Sequence, residues 1–324
     1  MRIVFINLFI LLLTNCSSTA NNKQTTTKAA QTQSIDFSAD SAYHFVQQQV
    51  DFGCRVPNTD AHQACANYLA ETLERFGAKV IRQHAELTAY DGTVLHSQNI
   101  IGSYQPELKQ RILLCAHWDT RPWSDHDPNP NNHRKPLLGA NDAASGVGVL
   151  LEIARQFSHA QPEIGVDIIF FDSEDYGTPE FHRGAQKENT WCLGSQYWAK
   201  NPHTPNYTAQ YGILLDMVGA PNAMFAKEYF SQQYASQITN KVWKKAQTLG
   251  FGNLFTNQSG GAVTDDHYYV NTIAKIPCTN IIHYNPHSNT GFAHYWHTQN
   301  DDMSNVSKHT LYAVGRTILE VIYN

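Results

Sequence analysis

The sequence predicts a single α/β domain with a mostly parallel, mixed central sheet flanked by helices. Three observations carry that reading. Short β-branched or apolar runs recur at residues 79–81, 99–104, 112–116, 166–171, 211–218 and 276–282. Several are apolar on both faces, as strands buried in the middle of a sheet are. Helix-period patterns lie among and after them at 144–157, 194–200, 233–249 and 306–323, and such alternation belongs to parallel sheets with crossover helices.

The chain opens with Met1-Arg2, an apolar stretch over residues 3–13 broken only by Asn7, and then small polar residues. Residues 1–20 therefore read as an export signal. The apolar stretch is too short to cross a bilayer core of roughly 30 Å as a helix. Leu13-Thr14-Asn15-Cys16 resembles a bacterial lipobox, although Asn replaces the usual small residue before Cys16; Ser18-Thr19-Ala20 offers an ordinary cleavage site instead. Either route implies a bacterial protein of the periplasm, or one tethered to the outer membrane through a lipidated Cys16. Residues 21–34, rich in Asn, Thr, Gln, Lys and Ala without apolar periodicity, read as a flexible tether. The catalytic domain is expected over 35–324.

Within that domain, Cys65, Leu69, Leu73 and Phe76 repeat at helical spacing, so residues 61–76 form a helix, with Asn58, Thr59 or Asp60 as cap and Gly77 as stop. The composition, 42% hydrophobic and 16% charged over 324 residues, suits a globular enzyme. The formal charge of -5, which becomes -6 once Arg2 leaves with the signal, supplies no basic surface for nucleic acid. Of six cysteines, five remain beyond Cys16, and an odd number cannot all pair. Cys54 and Cys65 are the first disulfide guess in an oxidising compartment, and Cys115, inside an apolar strand, reads as a buried thiol.

Chemistry concentrates in four segments: Ala116-His117-Trp118-Asp119, Gly139-Ala140-Asn141-Asp142, Asp172-Ser173-Glu174-Asp175 and Trp296-His297-Thr298. Imidazole nitrogen and carboxylate oxygen are zinc donors, and dispersed His, Asp and Glu at strand ends are what a catalytic zinc site with one open position requires. Alone, Asp142 also reads as a helix cap. Glu174 and Asp175 are adjacent carboxylates after a buried strand, a costly placement without a cation; one can bind metal while the other stays free as a base. Asp301 and Asp302 follow His297 closely enough to orient its ring. The loop over 121–138, with Pro122, Pro128, Pro130 and Pro136, reads either as a solvated surface loop or as a wall of the site.

Together His117-x-Asp119, Asn141-Asp142, Glu174-Asp175, Leu215-Asp216 and His297-Thr298 resemble the zinc aminopeptidase superfamily, and the order spans essentially the whole domain. Asp265-Asp266-His267 and Trp296 directly before the His resemble, within it, the glutaminyl-peptide cyclotransferases, and segments 116–123 and 172–177 look closest to bacterial members. The resemblance implies a zinc aminopeptidase-like fold and an acyltransferase that converts N-terminal glutamine of peptides or proteins to pyroglutamate. It implies one zinc on Asp142, Asp175 and His297. Glu174 would be the proton shuttle, Asp216 and Asp265 a hydrogen-bonded acidic pair beside it, and Trp296, Phe292 and, more weakly, Trp191 the lining of the substrate pocket. Asp175 stands where animal cyclases carry Glu, which shortens that ligand by one methylene. The alternative is a two-zinc aminopeptidase, with a second ion on His117 and Asp216, Asp142 bridging and Glu174 activating water. A non-catalytic binding protein on the same fold would have lost Glu174 or a ligand, and none is lost.

Overall fold

Ser38 opens the first helix, α1 (Ala39–Val50), by accepting a hydrogen bond from the backbone N–H of Ser41. Ala42, Phe45, Val46 and Val50 form its buried face. This helix is not evident from the sequence, because its glutamines mask an apolar stripe that is nonetheless regular. The computed structural model describes Met1, residues 36–185 and residues 187–324, so the expected signal, tether and lipidated Cys16 lie outside the described residues. Ile35–Asn324 make one compact unit. Helix α2 (Asp60–Arg75) is capped by Thr59, which accepts from the His62 N–H, and ends before Gly77, whose φ of 86° favours glycine.

The six-stranded sheet contains β1 (Lys79–Thr88), β2 (Val94–Tyr104), β3 (Arg111–His117), β4 (Gly165–Phe171), β5 (Gly212–Asp216) and β8 (Cys278–Ile282), in the order β1-β2-β4-β3-β5-β8. The pairs β3–β4, β3–β5 and β5–β8 are parallel, and β1–β2 and β2–β4 antiparallel. That is the mixed, mainly parallel sheet expected. A separate pair, β6 (Phe225–Lys227) and β7 (Phe255–Ser259), is too short and too polar to have been read from the sequence.

Alternation along the central strands divides the core. Ile112, Leu114 and Ala116 of β3 face one apolar cluster, and Leu113 and Cys115 the other. The first cluster takes in α1, α2, α3 (Ala144–His159), α5 (Tyr229–Thr248) and α7 (Lys308–Tyr323). The second is covered by the shorter α4 (Leu193–Lys200) and α6 (Asp266–Thr272). Helix α3 lies so close on β5 that a Cβ at Gly146 would stand 2.3 Å from the Leu215 carbonyl oxygen. That approach brings the Asp142 loop, just before α3, against the end of the strand that carries Asp216. Among the described residues no helix is long and apolar enough to cross a membrane.

The expected Cys54–Cys65 disulfide is absent, and both thiols are free. Cys65 sits on the buried face of α2, where desolvation pushes its pKa up to about 12, while Cys54 stays partly exposed in the preceding loop. Cys115 is the buried strand thiol expected.

Candidate active site

Parallel register lines the ends of β3, β4 and β5 up on one edge, and the crevice beyond such carboxyl ends is where α/β sheets place ligands. His117 closes β3 opposite Phe171 of β4, and Asp216 closes β5. Two residues past β3, Asp119 accepts hydrogen bonds from the backbone N–H groups of Glu174 (3.0 Å) and Asp175 (3.1 Å). This fork holds the adjacent acids side by side. Asp172 takes no part in the cluster: fully buried, it accepts from His62 Nε2 (2.9 Å) and from the backbone of Gln98 and Ser173, and so anchors the turn from below.

The Asp142 side chain is not a helix cap, since α3 begins at Ala144 after Ala143 without a side-chain cap. Its carboxylate lies between two histidines, 2.9 Å from His117 Nε2 and 3.5 Å from His297 Nε2. Asp175 Oδ1 is 3.3 Å from His297 Nε2, and Asp216 Oδ1 is 3.3 Å from His117 Nε2. One donor atom each from Asp142, Asp175 and His297 lie within 4.8 Å of one another, and so do donors from His117, Asp142 and Asp216. Neither Asp175 oxygen, nor Asp216 Oδ1, has a hydrogen-bond partner among the described residues, although all are buried. Buried carboxylate oxygens without partners are costly, and a bound cation meets that need. The nitrogen and oxygen donor set fits zinc, with Asp142 common to both groups.

Burial, reinforced by the charges of Asp175, Asp266 and Asp265 against an opposing His117, pushes the Glu174 carboxyl well above the usual range. Asp216 is pushed up to about 8 by burial and then by Asp142. Glu174 Oε2 lies 4.0 Å from His117 Nδ1, and Oε1 accepts from Cys192 Sγ at 3.0 Å. Asp265 offers a donor atom in the same cluster as Glu174 and Cys192. Asp216 and Asp265 lie within electrostatic reach, the charge of Asp265 adding to the rise in the Asp216 pKa, and Asp265 also accepts from the Asp266 N–H (2.5 Å) and the Asn280 amide (2.6 Å).

A cavity of about 590 Å³ opens above these groups, bordered by Glu174, Asp265, Trp191, Phe292, Trp296 and His297. The three aromatics expected there all line it. The Trp296 ring stacks on His297 at 3.7 Å between centroids, Phe292 packs against Trp296 at 4.8 Å, and Trp191 lies parallel to His297 at 6.1 Å. Positive φ angles at Ser173 (55°), Cys192 (56°), Met217 (49°) and His297 (53°) surround the cluster, backbone conformations that the fold sustains where side chains must be aimed.

Around the cluster, Asp301 and Asp302 take other partners than expected, and Asp125 and Arg121 take part without having been expected there. Asp301, expected to orient His297, instead accepts from the backbone N–H groups of Asn141 (2.8 Å) and Asp142 (3.0 Å) and so fixes the opposite ligand; Asp302 bonds Ser304. His297 Nδ1 faces Asp125 at 3.7 Å. Asp125 itself is held down at about 2: burial opposes ionisation, but bidentate bonds from Arg121 (2.8 and 2.6 Å) overcome it. Arg121 is buried, donates to the Asp175 carbonyl and lies 4.5 Å from the Trp191 ring. The loop over 121–138 therefore braces Asp175 and His297. The one available clue was a buried-type Arg–x3–Asp pair in a proline-rich loop, which spacing alone does not separate from a surface ion pair.

A sequence profile of Peptidase family M28 matches residues 99–322, from inside β2 to the last helix. The chain belongs to Peptidase family M28. This M28 chain is similar to a Zn-dependent exopeptidase from Parabacteroides distasonis, at 62% identity and a TM-score of 0.88, over 89% of this chain and 99% of that one. It is similar to the glutaminyl cyclase of Tannerella forsythia at 59% identity and a TM-score of 0.88, again over 89% and 99%. A third structure, the glutaminyl cyclase of Bacteroides thetaiotaomicron bound to N-acetylhistamine, shares 58% identity with a TM-score of 0.87 over 89% and 98%.

Proposed function

We infer that this chain is a zinc-dependent glutaminyl-peptide cyclotransferase, an acyltransferase that turns the N-terminal glutamine of peptides and proteins into pyroglutamate and releases ammonia. The observation that carries the reading is the Asp142–Asp175–His297 donor group beside Glu174, at the base of a cavity walled by Trp191, Phe292 and Trp296. Similarity at 58–59% identity to two glutaminyl cyclases supports it.

Asp142, Asp175 and His297 would hold the ion. Zinc, when bound, polarises the carbonyl of the γ-carboxamide. The aromatic walls hold the glutamine side chain and exclude water. Folding the substrate so that its own α-amine meets its γ-carbon makes the attack intramolecular, which is the main rate advantage available. Glu174 accepts the proton that the amine loses as the new C–N bond forms, and returns it to the departing amide nitrogen, so ammonia leaves as the old C–N bond breaks. Asp265, whose carboxylate clusters with Glu174, and Asp216 would hold the amine through hydrogen bonds.

The His117–Asp142–Asp216 group favours a second reading, a two-zinc aminopeptidase in which Glu174 activates water. A short peptide beginning with glutamine separates the two. Cyclisation releases ammonia and leaves the peptide lighter by one ammonia with its chain intact, and a chelator abolishes this. Free glutamine with a peptide one residue shorter would instead establish the aminopeptidase.

Export forms part of the same proposal, supported by the pattern of residues 1–20 and by the cysteine after Leu13-Thr14-Asn15. Cells expressing the full chain are expected to incorporate labelled fatty acid into it, and Cys16→Ala to lose the label. A soluble, unlabelled wild-type protein in the periplasm would favour ordinary cleavage after Ala20.

A further inference from the structure

The Glu174 carboxylate must stand over the substrate amine, yet almost nothing holds it. Among the described residues its side chain receives a single hydrogen bond, from Cys192 Sγ to Oε1 at 3.0 Å. His117 Nδ1 is 4.0 Å from the other oxygen, beyond hydrogen-bond reach. A glutamate has three rotatable bonds, and an unanchored one spreads over several rotamers.

Cys192, in contrast, is firmly placed. Its own N–H donates to the Glu174 carbonyl (2.9 Å), and the next N–H, of Leu193, donates to the Ser173 carbonyl (3.0 Å). Its carbonyl accepts from the Gln196 N–H (3.0 Å) and Ser195 Oγ (3.1 Å) as α4 begins. Gly194 lies so close to the Asp172 carbonyl that a Cβ there would come within 2.1 Å. The segment 192–194 is thus a template pressed against 172–174. Cys192 has left-handed backbone (φ 56°, ψ 36°), which a non-glycine residue adopts only where the surroundings impose it. That conformation aims a fully buried thiol at the acid.

We propose that Cys192 is a positioning residue for Glu174: its S–H holds the carboxylate in the orientation that meets the substrate amine. This rests on the functional reading only in giving Glu174 the proton-transfer role, which it has in cyclisation and in peptide cleavage alike. Desolvation, followed by the charge of Glu174, pushes the thiol pKa well up, so the sulfur keeps the proton it donates. A thiol is a weak donor. It orients the carboxylate without competing strongly against the amine for the same oxygen.

The test compares Cys192→Ala and Cys192→Ser in the zinc-loaded enzyme. Cys192→Ala is expected to lower kcat roughly tenfold, the lower end for loss of a hydrogen bond to a charged group, with KM, zinc content and Tm close to wild type. Cys192→Ser restores a donor and is expected to recover most of that loss. A packing role demands the opposite order, because serine places a smaller, more polar group in the same buried space than a thiol. Wild-type turnover in Cys192→Ala, or a folded, zinc-loaded Cys192→Ser as slow as or slower than Cys192→Ala, overturns the proposal. Should the alanine variant fold poorly, crystal structures decide: Glu174 in one rotamer in wild type and Cys192→Ser supports positioning, and the acid disordered in Cys192→Ser refutes it. The ranking is read on whichever reaction the wild type performs. Cleavage in place of cyclisation would overturn the functional reading and leave the Cys192 comparison intact.

Discussion

Glu174→Gln is expected to retain zinc and fold normally while losing roughly 10²–10⁴-fold in turnover, the usual contribution of a positioned acid–base group. The replacement keeps the shape and removes only the ability to take a proton. The proposed metal donors Asp142, Asp175 and His297 are untouched, and the Asp119 fork that holds this turn bonds to backbone N–H groups, which the variant keeps. KM should change little, because the proposed glutamine pocket is walled by Trp191, Phe292 and Trp296, which the variant keeps. Steady-state kinetics with zinc analysis on the same sample checks both parts. Near-wild-type kcat in a fully zinc-loaded Glu174→Gln would remove Glu174 from the proton path and with it the mechanism.

His297→Ala should act through the other half of the site. Loss of an outer-shell partner typically costs ~10–100-fold in metal affinity, and deletion of a direct ligand costs more. The imidazole also stacks on the Trp296 ring and lies parallel to the Trp191 ring, so its removal loosens the pocket wall as well. The expected result is a folded protein that comes through dialysis against a mild chelator without zinc and without activity, while the wild type keeps both. Zinc bound stoichiometrically to active His297→Ala would show that the ligand assignment is wrong. If zinc then remained in His297→Ala but left in His117→Ala, the ion would sit on the His117–Asp142–Asp216 group.

The fold was legible where burial is two-sided. Strands β3, β4, β5 and β8 are buried at every position, and the largely apolar runs of β3, β4 and β5 carry that information locally. Legibility failed where the signal depends on a partner. Helix α1 buries only one stripe, with glutamines covering the rest, and α6 is seven residues that begin at two acids. The antiparallel β1 is half-exposed along its length, and its strand extends seven residues past the expected end. The disulfide guess failed because closeness in sequence says nothing about which way two thiols point.

The site divides along the same line. By itself the sequence determined which residue types were available for chemistry, and that His117, the Glu174–Asp175 pair and Asp216 would come at strand ends, since apolar runs mark where strands stop and parallel strands stop on one edge. Only the tertiary structure decided what each side chain does there. The family resemblance singles out Asp142 and His297, and the tertiary structure adds that the Asp142 carboxylate lies between two histidines and that Asp301 bonds the Asp142 loop. It alone put Asp125, Arg121 and Cys192 behind groups far from them in sequence. Position along a strand follows from local hydrophobic pattern, but the direction and partners of a polar side chain follow from which segments the core packing brings together, through contacts that range from 18 residues apart at Cys192–Glu174 to 160 at Asn141–Asp301.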